Sequence, residues 1–190
     1  MRVKKFIFFL PVLACLYGCP YEANIPMASK PAEAVDTSLL GYWYGIVKDG
    51  SDFFGIEALD IRKHSDSVYD IIRYGKAVKG DMILPDTAHF IGYTSYIGNQ
   101  RFMNIENSVV TVIPHSKKSP TVTTQKVFYV STLDRSNDTL EVKTITETFT
   151  ARKTFSSSDE FARMVKDLLG KKQNIYDDQY SLKYRKLRNN

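Results

Sequence analysis

Val127-Phe128-Tyr129-Val130-Ser131-Thr132-Leu133 is the stretch whose reading decides the fold. Successive side chains of a strand point to opposite faces, so Val127, Tyr129, Ser131 and Leu133 share one side and Phe128, Val130 and Thr132 the other. β-Branched and aromatic residues dominate it, a composition suited to a pleated, half-buried surface. The same texture recurs on both sides. Tyr42 to Val47, Phe53 to Ile61, Val68 to Val78, Ala88 to Ile97, Phe102 to Ile113, Thr121 to Leu133 and Thr139 to Thr148 each read as a strand. The breaks between them are short and turn-like: Asp49-Gly50-Ser51, His64-Ser65-Asp66, Gly80-Asp81, Gly98-Asn99 and Asn137-Asp138. Breaks this short join antiparallel neighbours, because a parallel crossover needs a dozen residues or more. From Leu140 to Glu147 the alternation is interrupted at Ile145, which predicts a bulge or a second buried face there. The expected fold is mainly β, an antiparallel meander of seven to eight strands that closes into a barrel and so removes its exposed edges.

One C-terminal helix is expected at about 157–169. Phe161, Met164, Val165, Leu168 and Leu169 make a single apolar stripe at helical spacing. Ser157 with Glu160 three residues on forms a capping box, and Gly170 is a natural stop. Lys171 and Lys172 follow where the helix dipole favours cations. This stripe predicts packing against the outer wall of the barrel.

The two ends of the chain differ from its middle. Arg2, Lys4 and Lys5 precede an apolar run from Phe6 to Leu16, broken only by Pro11. A permanent bilayer span takes about 20 apolar residues, so this run is too short for one. Basic start, apolar centre and small residue at the cut describe an export signal over 1–18. Leu16-Tyr17-Gly18-Cys19 resembles the lipobox of bacterial lipoproteins, in which the cysteine carries a diacylglycerol thioether, is N-acylated, and becomes the first residue of the mature chain. Cys15 leaves with the signal and Cys19 carries lipid, so no thiol remains for a disulfide, a metal or a nucleophile. An exported domain without disulfides depends on its hydrophobic core. Residues 19–38, with Pro20, Pro26 and Pro31, have the composition of a flexible tether. The barrel domain is then expected over 39–170 and a basic tail over 171–190. In that tail Tyr176, Tyr180 and Tyr184 recur four apart among Lys183, Arg185, Lys186 and Arg188, either as a basic aromatic helix for an anionic surface or as a solvated tail.

The full chain carries a net +5, of which Arg2, Lys4 and Lys5 supply +3 and residues 171–190 +4, which leaves residues 19–170 near −2. The body is mildly acidic, which argues against nucleic acid as a partner, since such proteins carry a basic stripe on the folded body.

Gly41-Tyr42-Trp43 opens the first strand, after Asp36-Thr37-Ser38-Leu39-Leu40. This looks like the Gly-x-Trp opening of lipocalins, and the lipobox adds a likeness to small bacterial lipoproteins with a lipocalin-like barrel. The resemblance implies a short turn closing the barrel base, with Gly41 and Trp43 as its structural plug. It also implies a late-strand arginine lying over the tryptophan, for which Arg152 is the better placed candidate and Arg185 the other. The Thr-Asp-Tyr type motif of lipocalins is absent. Trp43 also reads simply as a core aromatic.

The catalytic patterns sought are missing. His64, His89 and His115 have no neighbouring ligand at metal-binding spacing, so no metal or other cofactor is expected. There is no nucleophile elbow and no phosphate-binding glycine loop. Glu57 with Asp60, and Glu141 with Glu147, read as surface strand residues more simply than as hydrolytic pairs. Asn137-Asp138-Thr139 matches a glycosylation sequon but reads as a hairpin turn. The expectation is therefore a non-enzymatic lipoprotein, anchored to the membrane through acylated Cys19. The resemblance implies that a Gram-negative host routes it to the outer membrane, facing the periplasm, since Pro20 rather than Asp follows the cysteine. Its barrel would bind a small apolar or amphipathic ligand or serve envelope maintenance. The alternative is a protein-binding inhibitor or immunity lipoprotein, with His115, Lys117 and Lys118 as its partner loop; a hydrolase ranks below both.

Overall fold

The computed structural model describes residues 20–49, 53–79, 82–113, 119–146 and 154–187. Eight strands, β1 (Gly41–Asp49), β2 (Phe53–Lys63), β3 (Tyr69–Lys79), β4 (Met82–Ile97), β5 (Gln100–Ile113), β6 (Thr121–Ser136), β7 (Thr139–Ile145) and β8 (Tyr176–Lys186), form a closed antiparallel barrel in sequence order. One helix, α1 (Ser158–Gly170), lies between β7 and β8. The meander, its closure and the helix are as the alternation and the apolar stripe predict.

Closure comes from the C-terminus. Residues 171–190, read as a basic tail, supply β8, which pairs with β7 from Thr139↔Arg185 onward and with β1 at Trp43↔Lys186 and Tyr44↔Arg185. The tail reading fails because Lys183 and Arg185 stand on the outer face of a wall strand. Lys183 and Arg185 are exposed, whereas Leu182 and Tyr184 alternate with them and join the interior. Gly45 marks the tight closure: a Cβ there would stand 2.6 Å from the Lys183 carbonyl oxygen and 3.0 Å from the Tyr184 ring.

The N-terminal segment is also reassigned. Residues 20–38 are not a loose tether but part of the wall. Pro20 bridges to Thr146 and Ala23 to Phe128, filling the gap where β6 and β7 part above Ser131↔Thr144. Tyr21, Ala23 and Met27 are buried. Asn104, itself fully buried, accepts from the Ala28 N–H at 3.1 Å and donates to Ser95 Oγ at 2.8 Å, while the Tyr93 hydroxyl donates to the Ala28 carbonyl. A linker-like composition hides this docking because only a few spaced side chains carry it.

Two cores result, one on each side of the barrel wall. The inner one holds Trp43, Ile61, Tyr69, Met103, Leu140 and Tyr184. The outer one joins Tyr21, Phe102, Val130 and Ile145 to Phe155 and to Phe161 and Val165 of α1. Phe155 stacks on Phe161 at 4.4 Å, with Tyr21 edge-on to both. Ile145 belongs to this outer core at a register shift between Lys143 and Ile145. The helix starts at Ser157, whose Oγ accepts from the Glu160 N–H, while the Glu160 carboxylate reaches back to Ser156.

Pairing is not uniform along the axis. β2 pairs with β3 only from Ala58↔Tyr74 to Lys63↔Tyr69, and β4 with β5 only from Phe90↔Asn107 to Ile97↔Gln100. Beyond those levels β1–β2, β3–β4 and β5–β6 continue as separate two-stranded arms. The closed ring therefore forms the base, and three arms surround a mouth.

Candidate functional site

The base is built around Trp43. The 3₁₀ turn Thr37–Leu39 is capped by Asp36, whose Oδ1 accepts from the Ser38 N–H at 3.0 Å. The turn presents the Leu39 carbonyl to the Trp43 Nε1–H at 2.8 Å, and the tryptophan is fully buried. Gly41, at φ +115°, makes the link into β1, a conformation that L side chains rarely adopt. Lys186 lies over the indole, 5.1 Å from its centroid, and donates to the Ser38 carbonyl at 3.0 Å. A lysine, Lys186, thus holds the place over the ring where the resemblance implies an arginine; Arg185 points outward on the neighbouring position, and Arg152 lies outside the described residues.

A polar network seals the same end. Arg101 pairs with Asp36 at 3.2 Å and with Glu33, and the Tyr69 hydroxyl accepts from the Asp36 N–H at 2.7 Å. Burial works to raise the Glu33 and Asp36 carboxyls. Hydrogen bonds from Tyr96 to Glu33 and from Ser38 to Asp36, together with the charge of Arg101, outweigh it and hold both below their ordinary range.

Above the apolar base the barrel interior turns charged. Glu57 on β2 has the same strand parity as Ile61, Arg73 on β3 that of Tyr69, and Asp86 on β4 that of Phe90, so all three point inward. The Arg73 guanidinium contacts the Glu57 carboxylate at 3.4 Å and that of Asp86 at 2.6 Å. Glu57 is almost fully buried and accepts from the Tyr184 hydroxyl. Burial, and then the Glu57 charge, keep the Tyr184 phenol protonated far above its ordinary range. The Tyr129 hydroxyl donates to Glu22 of the docked N-terminal segment at 2.7 Å, and burial first and that carboxylate second raise its phenol as well. Arg73 Nε is buried with no hydrogen-bond partner among the described residues. Two carboxylates, Glu57 and Asp86, thus face one guanidinium at the floor of the mouth, a net excess of one negative charge.

The candidates from sequence are not brought together. Asp60 faces outward, paired with Arg62, on the opposite side of β2 from Glu57. Glu147 lies outside the described residues, as do Cys19 and the loop residues His115, Lys117 and Lys118. His64 sits exposed in the β2–β3 turn, and His89 pairs with Asp70 on the outer wall. Among the described residues no three His, Cys, Asp or Glu converge as a metal site, and no helix is long and apolar enough to cross a membrane. Sequence reasoning missed Arg73 and Asp86. The available signal was a lone charge at the inward parity of otherwise apolar strands.

Two open depressions mark the outer surface. One of about 660 Å³ lies by the β6–β7 turn against Tyr44, Asn137 and Arg185, the other of about 460 Å³ between α1 and Ile97. Neither has the enclosed apolar lining of a small-molecule site. The chain matches no protein-family model, no curated protein and no solved structure. The barrel itself, eight antiparallel strands with one helix on its wall, is compatible with a lipocalin-like fold.

Proposed function

We propose that this chain is a membrane-anchored bacterial lipoprotein whose barrel binds a small amphipathic ligand at its mouth, in a carrier or envelope-maintenance role. The single observation that carries the ligand reading is the stacking of a charged layer, Glu57, Arg73 and Asp86, on a filled apolar base inside the ring. A barrel of about eight strands has room either for packed side chains or for one small ligand. Here the base is packed, so the ligand belongs between the arms, with its polar head against the charged floor. The excess of carboxylates favours an amine-bearing head over an anionic one. The role is read as non-catalytic, because Arg73 lies between Glu57 and Asp86 and holds both in ion pairs.

The anchor rests on the sequence alone: the lipobox-like Leu16-Tyr17-Gly18-Cys19 and the preceding export signal. On that resemblance the protein is placed at the outer membrane, facing the periplasm. Purification from the native host and mass analysis of what is extracted with the folded protein tests the ligand. Recovery of an amphipath in stoichiometric amount supports the reading, and an empty protein that no lipid stabilises counts against it.

The projecting β5–β6 arm favours a second reading, a protein-binding inhibitor. Ser108–Ile113 and Thr121–Lys126 extend past the ring with both faces exposed, and their pairing leads to the loop carrying His115, Lys117 and Lys118. A partner protein captured by the wild type, and lost when the arm is shortened, selects that reading.

A further inference from the structure

We propose that the outer face of the β5–β6 arm, around Val110, Val112 and Val122, contacts the lipid bilayer and that the barrel lies flush on the membrane without a spacer. The inference rests on the reading that Cys19 is acylated, and it adds where the anchored domain sits.

The first observation is how residues 20–23 are held. The Tyr21 N–H donates to the Ile145 carbonyl at 2.9 Å, and Ala23 exchanges two backbone bonds with Phe128 at 2.8 and 2.9 Å. Pro20 is therefore part of the wall, and Cys19 Cα is one peptide unit, about 3.8 Å, from it. Lipid on that cysteine leaves no length of free chain to hold the barrel away from the bilayer.

The second observation is what lies beside that point. Phe128, the partner of Ala23, stands two residues from Lys126, where the arm begins. Lower on β5 and β6 the outer face, with Phe102, Phe128 and Val130, is covered by residues 21–27 and α1. The same face continues up the arm uncovered. Val112 stands opposite Val122 and Val110 opposite Thr124, and the three valines are 55%, 59% and 58% exposed in the order Val112, Val122, Val110. At the arm's root Lys126 is neutralised by Glu106 at 2.6 Å, and above that pair the described residues of the face, Ser108, Val110, Val112, Val122 and Thr124, carry no charge. Val122 is six residues beyond Phe128, about 20 Å along the strand, so the patch lies within reach of the bilayer that holds residue 19. A soluble partner explains exposed valines equally well. The bilayer is favoured because Pro20, the residue next to Cys19, bridges Thr146 just past β7, and Ala23, three residues on, pairs with Phe128 at the root of this arm.

The test uses the full-length acylated protein. With Cys15 removed and Cys19 acylated, Val112→Cys or Asn137→Cys gives one labelling site, the first on the arm and the second exposed at the base turn. Each is labelled with an environment-sensitive fluorophore and reconstituted in phosphatidylethanolamine–phosphatidylglycerol vesicles with brominated acyl chains. The inference predicts severalfold stronger quenching at position 112 than at 137, weakened by Val110→Thr with Val122→Thr, which keeps β-branched residues at exposed sites. Equal quenching at both positions, or none at 112 in protein whose intact mass includes the acyl chains, overturns it. A mass without acyl chains overturns the anchor reading instead, and the inference with it. A blue shift at 112 before vesicles are added, with a doubled molecular mass in solution, assigns the face to a second copy and also overturns it.

Discussion

Replacement of Trp43 probes the base of the barrel through three separable interactions. The indole is fully buried among Leu39, Ile61 and Tyr184, donates to the Leu39 carbonyl at 2.8 Å, and lies under Lys186 at 5.1 Å. Truncation of a core tryptophan to alanine costs about 3–5 kcal/mol. The stranded Leu39 carbonyl adds about 1 kcal/mol, and the lost cation–π contact about 0.5–1 kcal/mol. Trp43→Ala should therefore lose about 4.5–7 kcal/mol, enough to unfold a domain of ordinary stability. Trp43→Phe keeps most of the ring and removes the N–H, so its loss should be about 1–3 kcal/mol. Lys186→Met should cost less than either and should not add to Trp43→Ala, since the two residues share one contact. Urea unfolding followed by far-ultraviolet circular dichroism gives the stabilities without relying on the fluorophore being removed. Iodide quenching of the wild type checks the starting point, because Trp43 is the only tryptophan. A Trp43→Ala variant that keeps its midpoint, or an indole quenched as readily as free tryptophan, would refute the plug.

Gly45→Ala should weaken closure severely, because the new Cβ meets the Lys183 backbone oxygen at 2.6 Å; loss of amide protection in β8 ahead of β3 would report it. Tyr184→Phe should cost about 1–3 kcal/mol by leaving buried Glu57 without its hydroxyl donor, as read by urea midpoints. Both Tyr184 and Tyr129 are raised in the folded state, so their contribution is complete below about pH 10 and is lost as pH rises beyond it. Ultraviolet titration should accordingly show phenols that ionise only with unfolding. Glu33 and Asp36 are lowered, so their contribution is present above about pH 4 and disappears as pH falls below it; wild type should lose more stability on acidification than Arg101→Met.

The strands were legible because their inward and outward positions differ in polarity, and the helix because one stripe carries all its apolar residues. β8 was not, since only alternate residues such as Leu182 and Tyr184 face in while lysines and arginines fill the sequence between them. The docking of residues 20–38 was hidden for a related reason. Its hold comes from single side chains on distant strands, Asn104 and Tyr93, which no local pattern reveals. The lysine over Trp43 was not legible as the cation there, because only strand parity in the folded barrel selects Lys186 for the interior and sends Arg185 outward. The charged floor depends on three strands meeting at one level, and register becomes visible only in the folded barrel.

The ligand reading is tested most directly by the thermal response of the Cys19→Ser domain to two lysolipids of equal chain length below their micellar range, one with an ethanolamine head and one with a glycerol head. Binding to the folded state at a hundredfold excess over Kd stabilises by about 2.7 kcal/mol, which for a domain of this size raises Tm by about 5–10 °C. The account predicts that rise with the ethanolamine lipid, a smaller one with the glycerol lipid, and a reduced preference in Asp86→Asn. An unchanged Tm with both lipids would contradict it.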